Sequence, residues 1–291
     1  MNKCLVTKLN GSSNNSELLK LGEMRMKILK VKNPTEHTQG FSLGVNKSAI
    51  LEIVSDGYFT DKTLTENKGK RITLNPRYND IWVNGNNDVE IAILGKYSLV
   101  YITSYYQGED TSKIYGNNIK IDISDLKNST ALTTLNLGNA QVSGDIADLK
   151  SLTALTALYL GNTQVPIVGD ISELSALSKC TEMSFKYSKL TGDLATLPAI
   201  CRFISFANDK GSVLTWGTRP STAKIVAIEG NVNITNIDKM LQDQAQCQVG
   251  FTASDVVQYK TISCIGTRTS ASDAALATLQ QKGYTVSIAK V

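Results

Sequence analysis

The hydrophobic positions of this chain change their rhythm along its length. Residues 132–152 read LTTLNLGNAQVSGDIADLKSL and residues 155–177 read LTALYLGNTQVPIVGDISELSAL. The two segments match 23 residues apart at Leu132/Leu155, Leu135/Leu158, Leu137/Leu160, Gly138/Gly161, Asn139/Asn162 and Val142/Val165. After Pro166 and Ile167 the match resumes 25 apart, at Gly144/Gly169, Asp145/Asp170, Ile146/Ile171, Leu149/Leu174 and Leu152/Leu177. A third copy keeps the register through Cys180, Met183, Phe185, Leu190, Gly192, Asp193, Leu194 and Leu197. A fourth opens with Cys201, Ile204, Phe206 and Asn208 and then loses the pattern. A half copy with Ile119, Asp122, Ile123 and Leu126 precedes the first.

The LxL core of each copy predicts a short strand whose two leucines point inward, because strand side chains alternate. One such rung buries nothing by itself, so rungs must stack and share a core. The following GDI segment predicts the return path. Asp145, Asp170 and Asp193 stand where a short helical turn wants an N-cap. Together with Asp122 these carboxylates also form a candidate calcium ladder. Capping is the preferred reading, because an inward apolar residue follows each Asp at once.

The repeat resembles the leucine-rich-repeat family, in the form LxxLxLxxNxxVxGDIxxL, over residues 116 to 215. The resemblance implies a solenoid with a parallel β ladder. It also implies an asparagine ladder at Asn139, Asn162 and Asn208, whose amides point inward and satisfy backbone groups at the turn. Tyr187 stands in that column in the third rung, so its turn is expected to be built differently. The residues between the inward leucines then face a concave binding surface. They include Thr134, Asn136, Ala157, Tyr159, Glu182, Ser184, Phe203 and Ser205, with Lys186 and Glu229 just beyond. Tyr159 and Phe203 are expected to be exposed aromatics and therefore the anchors of a ligand.

The flanks follow other periods. Before residue 103, short apolar runs separated by Asn-, Asp- and Gly-rich punctuation predict strands at Cys4–Leu9, Met24–Lys32, Ala49–Val54, Arg71–Leu74, Ile81–Val83, Val89–Leu94 and Leu99–Ile102. These suggest a small β-sandwich at 1–103, and Leu18–Gly22 a brief turn. After Trp216, strands at Lys224–Ile228, Thr261–Ile265 and Tyr284–Ile288 alternate with helices at Asn236–Ala245 and Ser272–Lys282. Ser272 is the expected cap of the second helix and Gly283 its C′ residue. The expected organisation is α+β: a sandwich at 1–103, then a solenoid at 104–291 with 217–291 as β-α-β-α-β capping rungs that shield the core's open end.

Composition narrows the chemistry. The net charge of +4 comes from 30 Lys and Arg against 26 Asp and Glu, and the excess lies in the first hundred residues. No nucleic-acid-binding motif accompanies it, so a solvated face is the plain reading and no nucleic acid is expected as partner. No apolar run reaches the ~18 residues of a membrane span, and the N-terminus lacks the apolar core of a signal peptide. The five cysteines contain no CxxC, so packed thiols are expected rather than a zinc site or disulfide framework. His37 is the only histidine and sits in a polar loop, with no nucleophile motif, Walker loop or HExxH around it. A catalytic role and a cofactor or metal are therefore not expected.

The opening, MNKCLVTKLNGSSNNSELLKLGEMRMKI, is similar to the N-termini of uncharacterised proteins in phages and prophages of Bacteroides-type gut bacteria. That resemblance implies a virion component made in the host cytoplasm, a decoration or fibre-type protein of head or tail. The N-terminal domain would contact other virion proteins, and the repeats would face a host surface protein or glycan. Self-association stays open. The alternative is a stand-alone repeat protein or a bacterial surface adhesin.

Overall fold

The computed structural model describes the backbone of strands lying between 26 and 115, and residues 119–290 apart from 139, 162–165 and 252–259. Before 119, side chains are described for Lys30, Val31, Ser42, Leu43 and Ile102. The centre is a curled parallel sheet, a half-barrel of solenoid-like form with few helices. The strands Leu99–Thr103, Thr134–Leu137, Ala157–Leu160, Glu182–Phe185, Phe203–Phe206, Ala227–Gly230, Thr261–Ile265 and Thr285–Ala289 pair in that order, each parallel to the next.

Register follows the sequence repeat. Leu135 lies opposite Leu158, Leu158 opposite Met183, and Met183 opposite Ile204. Leu135, Leu137, Leu158, Leu160, Met183, Phe185, Ile204 and Phe206 are all fully buried. Their alternation with less buried neighbours is the period of two made visible. Where aromatics replace leucine, the Phe185 and Phe206 rings pack in a tilted pair with centroids 6.2 Å apart.

A second ladder runs behind the first. Lys120–Asp122 pairs in parallel with Gln141–Ser143. A bridge between Asp145 and Val168 then leads to Val168–Asp170, Lys189–Asp193, Val213–Thr215 and Asn233–Ile234. The first four rungs return through tight helical turns, Ile123–Leu126, Ile146–Leu149, Ile171–Ala176 and Leu194–Thr196. Three residues per turn set positions i and i+3 on one side. Ile123 and Leu126, Ile146 and Leu149, and Ile171 and Leu174 all enter the core on that spacing.

The N-terminal strands fall into two sheets, and each continues one ladder. Met26–Asn33, Asn87–Leu94, Ala49–Ile53 and Arg71–Leu74 are antiparallel, and Val31 lies opposite Ile121 of the second ladder. Gln39–Val45 pairs with Arg77–Val83 on one side and with Leu99–Thr103, the first strand of the front ladder, on the other. Val31, Leu43 and Ile102 accordingly belong to the same buried cluster as the repeat leucines. The apolar runs locate five of these strands to within two residues at either end, and the last three residues of a sixth, Arg77–Val83. Gln39–Val45 was not expected; Gly40 and Gly44 interrupt its apolar run. The short strands Phe59–Asp61 and Leu64–Glu66 were missed as well. Cys4–Leu9 and Leu18–Gly22 lie outside the described residues.

The C-terminal alternation is present as Ala227–Gly230, Ile237–Gln246, Thr261–Ile265, Asp273–Gln281 and Thr285–Ala289, with a short extra strand at Asn233–Ile234. One detail differs from expectation. Ser272 makes no capping bond to its helix; its buried hydroxyl donates to Asp238 at 2.5 Å. Thr269 caps the preceding turn instead, accepting from the Ala271 N–H at 3.2 Å.

Candidate functional site: the open face of the front ladder

The side chains between the inward residues of the front ladder form one face, and its two ends differ. Thr134, Asn136, Ala157 and Tyr159 are half-buried. Ser184, Phe203 and Ser205 are buried, at 8%, 7% and 5% exposure, and Ala227 has none. Phe203 is therefore not the exposed aromatic that alternation alone predicts, and Ser184 and Ser205 are not free contact residues. The physical reason is crowding. Phe203 lies between Glu182 and Ala227 in register. The segment through Gly250 also comes so close that a Cβ there would sit 2.9 Å from Cβ of Arg202.

A fixed polar line crosses this face. The Tyr159 hydroxyl donates to Glu182 Oε2 at 2.7 Å. Arg202 donates through Nη2 to Glu182 Oε1 at 2.9 Å, and its guanidinium lies 4.8 Å over the Phe251 ring. Both oxygens of Glu182 are thus held, and Tyr159 is oriented from a neighbouring rung. Arg202 and Phe251 were not anticipated. Arg202 precedes its strand, and Phe251 lies far away in sequence. Asn136 uses its side-chain oxygen locally, accepting from the Gly138 N–H at 3.2 Å. Lys186 is half-buried and lies along Gly161, where a Cβ would meet its Cβ at 2.7 Å.

The caps behave as a column. Asp122, Asp145, Asp170 and Asp193 each accept from the N–H two residues on, at 2.9, 2.9, 2.8 and 2.9 Å. The glycine before each later Asp answers the Asp of the preceding rung. A Cβ on Gly169 or Gly192 would run into Asp145 or Asp170, and both glycines hold positive φ, 125° and 99°. Gly217 continues the column without the GDI signature, donating its N–H to Asp193 at 2.8 Å. Among the described residues no group of three His, Cys, Asp or Glu side chains is placed to hold a metal ion.

At its described positions, Tyr187 and Asn208, the asparagine column does not point inward as expected. Asn208 is exposed and adopts φ 54°, and Tyr187 at the same place adopts φ 57°. These are left-handed turn positions, where Asn is favoured for its backbone freedom. The third-rung turn is therefore built like the fourth, not differently. The inward slot is the next residue: Ala140 and Ser188 are fully buried there. Asp209 follows in that column. Its carboxylate accepts from the N–H groups of Gly211 and Ser212 at 2.9 and 2.8 Å, and the Ser212 hydroxyl in turn accepts from the Leu190 N–H at 2.8 Å. Asn139 and Asn162 lie outside the described residues.

Where the repeat signature ends, single residues close the rung. Trp216 is fully buried and donates to Asp243 at 3.1 Å. Arg219 is 3% exposed. Its guanidinium donates to the carbonyls of Lys224, Ala195, Leu197, Pro198 and Cys201 at 3.0–3.3 Å. Burial holds its pKa below the ordinary value. The cysteines at 180, 201, 247 and 264 are free and buried. Burial pushes the Cys180 and Cys264 thiols up to about 12 and Cys201 to about 11, so they are protonated, unreactive packing groups near neutral pH. No helix among the described residues is long and apolar enough to cross a membrane. No family model matches the chain, and no curated protein matches it.

Proposed function

We propose that the protein is a non-catalytic recognition module of leucine-rich-repeat type that binds its ligand on the open face of the front ladder, at the end formed by Thr134, Asn136, Ala157 and Tyr159. The observation that carries this reading is the polar line from Tyr159 through Glu182 to Arg202. It fixes an amphipathic aromatic beside half-buried small and polar side chains, so little side-chain freedom is lost on binding. The test is binding to arrays of host-surface proteins and glycans, comparing the parent with Thr134→Arg and Ala157→Arg. Both substitutions place a bulky cation on a half-buried position. Loss of the ligand with an unchanged melting curve is the expected result; equal binding by parent and variants overturns the reading.

In its narrower form the proposal places this module on a phage particle as a head or tail decoration, with the N-terminal strands as the anchor to other virion proteins. The N-terminal sequence resemblance and the Asn-, Ser- and Thr-rich composition support it. Mass spectrometry of purified particles, together with neighbouring genes for capsid, portal or tail proteins, is the check. A neighbourhood without them, beside a reading frame that supplies a signal peptide, favours the adhesin instead.

A further inference from the structure

At the corner where the front ladder passes into the second, the third and fourth rungs set one turn over another. Tyr187 donates its N–H to the Ala207 carbonyl at 3.2 Å, and Lys210 donates its own to the Ser188 carbonyl at 2.8 Å. Residues 186–189 thereby stack on residues 207–210. In the first two copies this turn reads GNAQ and GNTQ, without charge. In the third and fourth it reads KYSK and ANDK. Three ammonium groups thus stand against one carboxylate on neighbouring rungs, whose strands lie ~4.8 Å apart.

The carboxylate, Asp209, is directed at its own turn. It accepts from the N–H groups of Gly211 and Ser212 and from the Ser212 hydroxyl. Among the described residues no Asp or Glu pairs with Lys186, Lys189 or Lys210, whereas Lys150, Arg202, Lys239 and Arg268 each have an acidic partner. Residues 162–165, which follow Gly161, are Asn, Thr, Gln and Val and bring no charge. Like charges on adjacent rungs repel. The arrangement therefore costs the fold stability, and an anion laid across it relieves the repulsion.

The neighbouring groups narrow the class of that anion. Lys189, Asn208 and Lys210 are exposed, and Lys186 and Tyr187 half-buried. The Lys210 ammonium lies 5.1 Å from the centroid of the Tyr187 ring, which holds it beside an aromatic surface. Lys186 lays its aliphatic stem along Gly161 of the second rung. Ammonium groups select acidic groups, an amide such as that of Asn208 pairs with neutral hydroxyls, and an amphipathic ring covers the C–H face of a sugar. A polyanion without sugar rings uses only the first of these.

We propose that this corner is a second binding site, outside the front-face end assigned above and independent of that reading, which takes an anionic polysaccharide whose units bear sulfate or carboxylate groups. Lys189 and Lys210 receive the acidic groups along one stretch of chain and Lys186 those beside it. Tyr187 and Asn208 face the sugar rings.

The test is equilibrium binding of the full chain to dextran sulfate and to polygalacturonate, against neutral dextran and against poly(vinyl sulfate) matched in sulfate content. One of the charged polysaccharides is expected to bind more tightly than both controls, and which one names the acidic group. Lys189→Gln with Lys210→Gln should weaken that binding by at least about tenfold, as expected when contacts to charged groups are lost, with the melting curve unchanged. Lys127→Gln with Lys179→Gln removes the same charge from other exposed positions and should leave it intact. Tyr187→Asn restores the residue of the first two copies and keeps the left-handed turn. It should abolish the preference for dextran sulfate over poly(vinyl sulfate). A parent that binds neither charged polysaccharide overturns the proposal, as does one that binds poly(vinyl sulfate) equally well. So does a Lys127 and Lys179 double variant that loses as much as the Lys189 and Lys210 one.

Discussion

The rungs between 132 and 197 and the stretch between 201 and 250 meet the same demand with different residues. Each rung must bury a strand and then satisfy the backbone groups freed where the chain turns back. In the first region one set of parts recurs: inward leucines, an Asp that caps the turn, and a glycine that makes room for the previous Asp. In the second region the parts are used once. Arg219 answers five carbonyls, and the Gln244 amide pairs with both peptide groups of Val226, at 2.7 and 3.0 Å, as a neighbouring strand would. Buried backbone groups must be paired whatever the sequence. Loss of the motif therefore does not remove the demand. It transfers it to side chains that no repeat alignment can find.

That contrast is open to direct attack. The largest loss is expected in the second region: Arg219→Met should destabilise by at least about 3 kcal/mol, since several buried carbonyls each lose a partner worth ~1–3 kcal/mol. Arg219→Lys should rescue little, because a single ammonium cannot reproduce a five-donor fork. In the first region Leu158→Ala should cost about 2–5 kcal/mol, the range for a buried leucine. Denaturant melts give all three. An Arg219→Met variant as stable as the parent would mean that the second region does not depend on single-use residues.

Next in size is the Gly–Asp column. Gly169→Ala should cost about 1–3 kcal/mol, the range for backbone strain at disfavoured dihedrals, with displacement of Asp145 added. Asp170→Ala should cost about 0.5–2 kcal/mol as a lost cap. Gly138→Ala, whose Cβ would lie 3.3 Å from Asn136 Oδ1 and whose φ is not positive, should be milder than Gly169→Ala. If melts place the two glycine substitutions level, the column does not set the rung spacing.

The last effect is confined to alkaline pH and is absent at neutrality. Cys180, Cys201 and Cys264 hold their protons more tightly in the fold than a free thiol at 9.0 does. Above pH 9 the unfolded chain ionises while the fold does not, so stability falls as pH rises toward 11–12 and is unaffected by these groups below 9. The slope over that window, measured by denaturant melts, should flatten in Cys264→Ala. An unchanged slope would mean that this thiol is not buried as described.

The amino-acid sequence alone determined the rungs, their register and the inward leucines, because a strand and a short turn translate directly into spacing. Asp145, Asp170 and Asp193 were legible as caps for the same reason: the partner of each lies two residues away. The C-terminal strands and helices were legible through local periodicity and Gly283. Tertiary structure decided what depends on contacts between rungs. Phe203 has the alternation of an exposed residue and is buried, set in register between Glu182 and Ala227. Asn208 has the identity of an inward amide and is exposed, because a left-handed backbone uses the asparagine while the next position in the column, held by Ser188 and Asp209, faces the turn's backbone groups. Arg219 and Gln244 look like surface residues until the carbonyls and strand they serve are brought to them. Spacing carries the direction of a side chain; only the assembled rungs fix what stands in front of it.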